Sequence, residues 1–348
     1  MRKITGHLAV LAATVVAAGA ADAREFPVKA FDALGMAGSE RLVAYALTRE
    51  ETGPAGLAQG IDLLRMMGFI GAPGEITDRW FNWSPVLTYD GNLNGGFAQD
   101  SFIAGGLPFE IDDELVSVGG MLVGVSFDTG LRMNLATDTA LELRAASMLG
   151  FAPEHDIAKS QIMADACVKH MVTTETFLHG CADILRADYE LGTTERAGAR
   201  FGMSHAFMSP AGFHEVAFEL QRLKYLGDDG YGQNIVSVRS ASALSHGLAF
   251  FATAQLGEDA GQNQVMRRRL ELGVATTVKD RGLGIRISAE DDRGGMFLGE
   301  ERRDMIYGVN ITGRINEKLS ASAFYSVTDA SHEFYKSDSI GFSFDYNF

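Results

Sequence analysis

The stretch MLVGVSFDTGLRMNLATDTALELRAASMLGF, residues 121–151, contains two runs in which apolar and polar residues alternate. In the first run the odd positions are apolar except for Thr129, and the even positions are mostly small or polar. Successive side chains of a β-strand point to opposite faces, so a period of two separates these sets onto the two faces of a sheet. The stretch therefore predicts two antiparallel strands joined by a tight turn, as found in both sandwiches and barrels.

The spacing of the turns favours a barrel. Short turns recur about every 35 to 38 residues, and the connections between them are mostly longer and rich in Gly or Asp; these turns are centred near Thr137, Thr174, Pro210, Ser245, Asp280 and Asn316. Short turns at one end and long loops at the other are typical of outer-membrane barrels, with the short turns in the periplasm. The prediction is an all-β fold, a transmembrane up-and-down antiparallel β-barrel of about 14 strands preceded by a short N-terminal helical segment.

The N-terminal region predicts export. Arg2 and Lys3 precede an apolar run at residues 8–20, and Ala21-Asp22-Ala23 is a small-x-small cleavage site. We expect a signal peptide at residues 1–23, a short periplasmic helical segment at 24–80 and an outer-membrane barrel at 81–348, with residues 39–68 either in the periplasm or folded up into the barrel mouth. Within the helical segment, Ser39 is a candidate N-cap and Gly68 a candidate helix end.

The C-terminal residues SIGFSFDYNF, 339–348, alternate aromatic and small or polar side chains up to the last residue. An even number of strands places both ends of the barrel on the same side of the membrane, and the signal and helical segment place the N-terminal end in the periplasm. The C-terminus is therefore expected in the periplasm, where the last strand can close the sheet against the first. We therefore expect Phe342, Phe344, Tyr346 and Phe348 to close the barrel and to act as its insertion signal. The expected partners are outer-membrane lipids and the outer-membrane assembly machinery.

Strand parity divides the wall residues into two sets. The residues expected to face lipid are Val216, Phe218, Leu270, Leu272, Ile285, Ile287, Val309 and Ile311, with Trp83, Tyr189, Tyr307 and Tyr325 as candidates for the aromatic girdles. The charges expected in the lumen are Arg132, Arg144, Arg186, Arg196, Arg200, Arg239, Arg286, Arg314, Glu142, Glu219 and Glu271. Two interpretations stay open: a salt-bridged lumen that stiffens the wall, and a conductive or client-facing surface.

Cys167 and Cys181 are the only cysteines of this exported chain, which predicts a disulfide. Both lie seven positions from Thr174, so a short turn there sets them opposite each other on neighbouring strands. Side-chain parity conflicts with this pairing, because it places Cys167 on the lumen face and Cys181 on the lipid face. A β-bulge at Gly180 would reconcile the two.

The sequence argues against several classes of function. A net charge of −15 with no basic stripe does not fit a nucleic-acid-binding protein. The eight His residues form no H-x-x-x-H pair, and there is no G-x-S-x-G motif or P-loop, so we predict no enzymatic activity and no cofactor. The acidic run Glu290-Asp291-Asp292 lacks EF-hand spacing and is expected to be a set of solvated loop carboxylates, not a metal site.

One stretch resembles a known family. SPVLTYDGNLNGG, residues 84–96, is similar to the first barrel strand and its Asp-x-Asn-x-Asn opening in the surface lipoprotein assembly modifiers, through Pro85, Tyr89, Asp90, Asn92 and Asn94. The resemblance implies an outer-membrane translocon with lipoprotein clients. The chain departs from that family in having a helix pair where the family carries a substantial periplasmic repeat domain.

The sequence thus predicts an assembly or translocation factor for surface lipoproteins. A passive porin-like channel and an exopolysaccharide export barrel are the alternatives, followed by a purely structural barrel with a sealed lumen.

Overall fold

The structure, a computed structural model, describes residues 33–49, 52–104, 107–227, 230–279, 281–297, 299–316 and 319–346. The predicted signal peptide at 1–23 and the terminal Phe348 lie outside the described residues. No helix in the described ranges is long and apolar enough to cross a bilayer.

A closed antiparallel barrel of fourteen strands makes up most of the described chain, which confirms the predicted fold class. Each strand pairs with its neighbours in sequence, and the last pairs with the first. The wall strands are β1 (Ile76–Asp90), β4 (Gly120–Ala136), β5 (Thr139–Ala152), β6 (Ile157–Met171), β7 (Thr176–Tyr189), β8 (Gly192–Ser209), β9 (Gly212–Leu226), β10 (Gly232–Leu244), β11 (Leu248–Gly257), β12 (Val265–Val278), β13 (Arg281–Phe297), β14 (Glu300–Arg314), β15 (Leu319–Ala330) and β16 (Ser337–Tyr346). A small hairpin, β2 (Ser101–Ala104) and β3 (Leu107–Glu110), lies in the connection between β1 and β4.

The last strand closes the sheet. β16 pairs with β15 on one side and with β1 on the other, where Leu87 is opposite Phe342 and Trp83 is opposite Tyr346. Closure leaves no strand edge with unpaired backbone groups, which a bilayer does not tolerate. The pairs between β1 and β16 skip Ser84 and Pro85, because proline has no N–H to donate. Pro85 lies in the middle of β1, which starts at Ile76, five residues before the expected barrel boundary.

The outer face carries rows of apolar side chains that follow the strand register. One row runs through Phe218, Val238, Ala254, Leu270, Ala289 and Tyr307, each directly opposite the next. Val216, Ile285, Ile287, Val309 and Ile311 are exposed on this face as predicted, and Leu272 shares their parity. Trp83, Tyr307 and Tyr325 also face outward. Tyr189 does not, and its prediction is wrong: its ring lies 5.1 Å from the Lys159 ammonium on the inner side.

The two ends of the barrel differ less than predicted. The short turns fall where expected, and this end is called the short-turn end below. At the other end, the loop end, only residues 91–119 form a long connection, while β7–β8 and β13–β14 are joined tightly. The expectation that Glu290-Asp291-Asp292 are solvated loop carboxylates is wrong: the run lies in β13 and Asp291 is buried, because polar residues that project beyond the apolar belt can still form a regular ladder.

The helical segment begins at residues 33–37 and continues in α1 (Glu40–Leu47) and α2 (Gly53–Met66). Ser39 caps α1 as predicted, since its hydroxyl accepts a hydrogen bond from the Leu42 N–H at 3.2 Å. Gly68 follows α2 with a φ of +86°, a conformation that favours glycine. Leu42 is fully buried, whereas Leu57 of α2 is 44% exposed.

Candidate functional site: the lumen and its N-terminal plug

The N-terminal helices cross the lumen. Glu40 pairs with Arg132 of β4 at 2.8 Å, and the neighbouring Arg41 pairs with Glu215 of β9 at 2.7 Å. The Ser39 hydroxyl also donates to Glu215. Since β4 and β9 are separated by four other strands, residues 39–41 span a chord between distant parts of the wall.

Apolar packing fixes the same segment at the short-turn end. Leu34, Leu42 and Tyr45 form a buried cluster with Phe213 and with small wall residues near the short turns, namely Ala206, Ala243, Ala249 and Ala275. The Tyr45 and Phe213 rings meet edge to face at 6.4 Å. Small residues on the wall leave room for the helix, so the barrel interior is shaped for this insertion. We call residues 33–49 and 52–70 the N-terminal plug.

A second apolar contact holds the end of the plug. Phe69 packs on Phe177 of β7 with ring centroids 5.3 Å apart, and Leu64, Met67 and Ala140 are buried around them. The Asn134 amide donates to the Gly68 carbonyl at 2.9 Å, which ties the chain to β4 just before β1 begins. The plug is therefore anchored at both of its ends.

The predicted lumen charges of β4 and β5 form ion pairs on the inner face. Arg132 bonds Glu142 at 2.7 Å, and Glu142 also pairs with Lys169 at 2.8 Å. Arg144 pairs with Asp128, which also accepts a hydrogen bond from the Trp80 indole at 2.6 Å. Arg132 thus joins the wall network to Glu40 of the plug.

Arg200 is the centre of a second network. It bonds Asp165 and lies 3.5 Å from Asp183, and its Nε is 4.0 Å from Glu219. Glu219 in turn accepts from His179 at 2.9 Å and pairs with Arg239 at 3.4 Å. The chain of contacts runs along the inner wall from β6 to β10, so opposite charges alternate across five of the fourteen wall strands.

Of the remaining predicted charges, Arg286 and Arg314 lie further round the wall, on β13 and β14, and Arg196 lies on β8. Arg286 pairs with Glu271 at 3.3 Å and lies over the Phe251 ring at 5.2 Å. Arg314 lines a cavity of the lumen, and Arg196 is opposite Leu185, on the same face as Arg200.

Arg186 is the exception among the predicted lumen charges. It alternates with the inward Asp183, Leu185 and Ala187 of β7, and it pairs with the outward Glu195 at 2.9 Å. Its assignment to the lumen is therefore wrong: it lies on the outer face near the loop end.

The two cysteines form a disulfide, as predicted. They are directly opposite in the β6–β7 register with Cα atoms 4.1 Å apart, and both face the lumen beside Asp165. The predicted bulge at Gly180 is wrong, because Gly180 pairs with Val168 in an unbroken register. Asp165 and the two cysteines are the only group of potential metal ligands that lie close together in the described ranges, and the disulfide occupies both sulfurs.

The first-loop motif folds inward. Asp90 accepts from the Asn92 N–H at 2.9 Å and pairs with Lys159 at 2.6 Å, and Lys159 also donates to the Asn92 carbonyl. Asn94, only 2% exposed, accepts from the Val118 N–H at 3.1 Å and donates to the Val116 carbonyl at 2.8 Å. The motif therefore shapes the loop, as short polar side chains commonly do.

Loop 1, residues 91–119, is held against the inner wall. Leu93 is fully buried with Leu122, Ala152 and Ile157, all on inner positions of β4 to β6. Phe97 packs on Tyr335 of the neighbouring β15–β16 connection at 5.9 Å between ring centroids. The sequence predicted neither this inward fold nor the role of Lys159, because both depend on contacts between distant residues.

Among the described residues, two of the larger cavities open from the lumen. One of about 650 Å³ lies between the plug residues Gly35 and Met36 and the wall residues Arg286, Asn310 and Arg314. The other, of about 510 Å³, is lined by Ser84, Asp128 and Arg144, with Met148 and Gln161. Both are lined by a mixture of charged, polar and small apolar side chains.

No family model and no curated protein matches the sequence. Solved structures with a similar strand arrangement include Pseudomonas putida OprB (TM-score 0.44, 9% identity, covering 78% of this chain and 94% of that one). Others are Pseudomonas aeruginosa OccK2 (OpdF) in complex with glucuronate (0.42, 8%, 78% and 98%) and a BenF-like porin from Pseudomonas fluorescens Pf-5 (0.40, 7%, 78% and 99%). With TM-scores below 0.5, these likenesses carry no argument about what this chain transports or binds.

Proposed function

We propose that this chain is an outer-membrane channel for small polar solutes and that the N-terminal plug limits its conductance. The observation that carries the proposal is the inner wall, where charged side chains line cavities open to the lumen; Arg144 and Arg286 are both about half exposed there. Each is also paired with a carboxylate, Asp128 or Glu271, so its charge is held in place on the inner wall while about half of the side chain stays accessible to solutes in the cavities.

The size of the barrel supports this function. Barrels of about eight strands are filled by their own side chains, whereas porins of about 16 to 18 strands enclose water. Fourteen strands lie between these sizes, so the interior has room for the plug and for solvent beside it. The outward apolar rows supply the lipid face, and the proposed orientation puts the short-turn end, where the plug lies in the lumen, on the periplasmic side.

The assembly function stays a prediction. Asp90, Asn92 and Asn94 carry the resemblance to surface lipoprotein assembly modifiers, yet each makes contacts that shape loop 1. An inward loop needs such contacts in a channel as well, so the motif does not discriminate between the two functions. Loss of a surface lipoprotein from a deletion strain would support the assembly function.

Conductance in planar bilayers tests the channel proposal. The purified wild-type barrel should give rare or small steps, and variants with a loosened plug should give larger or more frequent ones. If wild-type and loosened barrels are both inserted and neither conducts ions, the lumen is sealed and the channel proposal is wrong.

A further inference from the structure

The outer face of β12 to β14 holds three arginines around one carboxylate at the loop end. Asp291 pairs with Arg293 at 2.7 Å and with Arg303 at 3.0 Å, and Arg268 is its partner in the β12–β13 register. We call Arg268, Arg293, Arg303 and Asp291 the arginine patch.

The patch borders the apolar belt. The next outward residues towards the short-turn end are Leu270, Ala289 and Tyr307, which lie opposite one another on the same three strands. Lumen solutes cannot reach the patch, because it is on the other side of the sheet. Any ligand must therefore come from the surroundings of the barrel at the height where the apolar surface ends.

The charge of the patch selects an anion. Three guanidinium groups against Asp291 and the neighbouring Glu301 leave one positive charge, in a chain whose net charge is −15. Asp291 is buried and fixes two of the arginines, whereas the Arg303 side chain is 53% exposed and Arg268 is exposed. Guanidinium groups match the geometry of phosphate oxygens and bind them through paired hydrogen bonds.

The backbone changes its register on both sides of the patch. The β12–β13 register shifts by one residue between Met266 and Arg268, and the β13–β14 register shifts between Arg293 and Met296. Such bulges bend a strand and re-aim its side chains. Gly294 and Gly295, with φ of +101° and +75°, permit the second shift directly after Arg293.

We propose that the arginine patch binds the phosphate groups of lipids that surround the barrel at its loop end. The inference rests on the membrane placement in the proposed function and adds a lipid site to it. A phosphate next to an acyl chain meets both features at once, because its chain covers Leu270 and Tyr307 while its head reaches Arg268 and Arg303.

The test compares two double variants of the full-length barrel. R268Q/R303Q removes the two exposed arginines and leaves Arg293 paired with Asp291. The matched control R186Q/R222Q removes two other outward arginines near the loop end, each already paired with a carboxylate, Glu195 or Glu258. Each protein is titrated with bisphosphorylated lipid A and with the same lipid after dephosphorylation, and bound lipid is counted by native mass spectrometry.

The wild type and the control should prefer the phosphorylated lipid by about tenfold or more, and R268Q/R303Q should lose most of that preference. Equal binding of both lipids by the wild type, or an equal loss in the control, would overturn the proposal. The proposal would also be overturned if inorganic phosphate alone, at the same concentration as the lipid, displaced the bound lipid. It would likewise be overturned if the patch instead joined two copies of the chain. Heat-modifiable folding and insertion into vesicles are measured on the same samples. If the barrel inserts but shows no lipid preference, only the lipid site is wrong. If the barrel does not insert, the proposed membrane placement is wrong as well.

Discussion

Replacing Glu215 with Gln should release the plug. The Glu215 side chain is only 5% exposed, and it receives both the Ser39 hydroxyl and the Arg41 guanidinium. The amide keeps the shape and one acceptor oxygen but loses the charge. Hydrogen bonds to charged groups contribute about 1.5 to 3 kcal/mol and neutral ones about 0.5 to 1.5 kcal/mol, so the loss is about 1 to 2 kcal/mol.

This loss converts into a change in population. Each 1.4 kcal/mol is about tenfold in an equilibrium constant, so the fraction of barrels with a displaced plug should rise about 5- to 30-fold. Leu42→Ala acts on the apolar contact of the same helix and should cost about 2 to 5 kcal/mol, because Leu42 is fully buried. Its effect on the open fraction should therefore be at least as large as that of the charge loss.

Single-channel recording in planar bilayers measures both effects as the frequency of open steps per inserted barrel. Glu195→Gln is the matched control, since it makes the same chemical change in an ion pair on the outer face. The reasoning is refuted if Glu215→Gln and Leu42→Ala fold normally, by heat-modifiable migration, and yet open no more often than the control.

Three further predictions concern the wall. Thiol labelling of the denatured, unreduced protein should find no free thiol, and reduction of the Cys167–Cys181 bridge should cost at most about 3 kcal/mol of stability for its short loop; two free thiols would contradict the pairing. Deleting Phe348, or replacing it with Asp, should leave unfolded protein in the periplasm, because Phe348 is expected to be part of the insertion signal that follows the closing strand β16 (Ser337–Tyr346); normal levels of inserted, heat-modifiable protein would argue against the insertion signal. An epitope tag at residues 257–264 should be labelled on intact cells and one near Thr52 should not, and the reverse pattern would invert the proposed orientation.

Alternation of side chains predicted the strands but not always which face is the lumen. In β7 the alternation places Leu185, Ala187 and Tyr189 on one face and Arg186 on the other, and the apolar face is predicted to contact lipid. These residues lie at the loop end, beyond the apolar belt, where lipid no longer dictates which face is apolar. The predicted lumen and lipid faces of β7 are therefore the reverse of the observed ones. The bulge at Gly180 was needed only to correct for that inversion.

The contacts that hold the plug in the lumen could not be predicted from the sequence, for another reason. Glu215 has the same parity as Glu219, so alternation identifies it as a lumen position. Its partner Arg41 lies 174 residues away, and no periodicity connects an N-terminal helix to one strand of the wall. The helices themselves could be predicted because caps and glycine ends are local. Their insertion into the barrel is a tertiary property.

The plug and loop 1 leave one side of the lumen less covered. Loop 1 is buried against β4 to β6, and the disulfide and the Arg200 network belong to the same half of the wall. On the other half, Met36 is the plug residue nearest Arg286 and Arg314, and the larger cavity lies between them. Several inner positions of β13 to β15 there are small or polar, as at Ser288, Gly308 and Ser322, and Phe324 is a large apolar side chain on the same face. A solute that crosses this barrel should therefore pass along β13 to β15, and a displaced plug would widen that route first, because Met36 is the only described plug side chain that lines it.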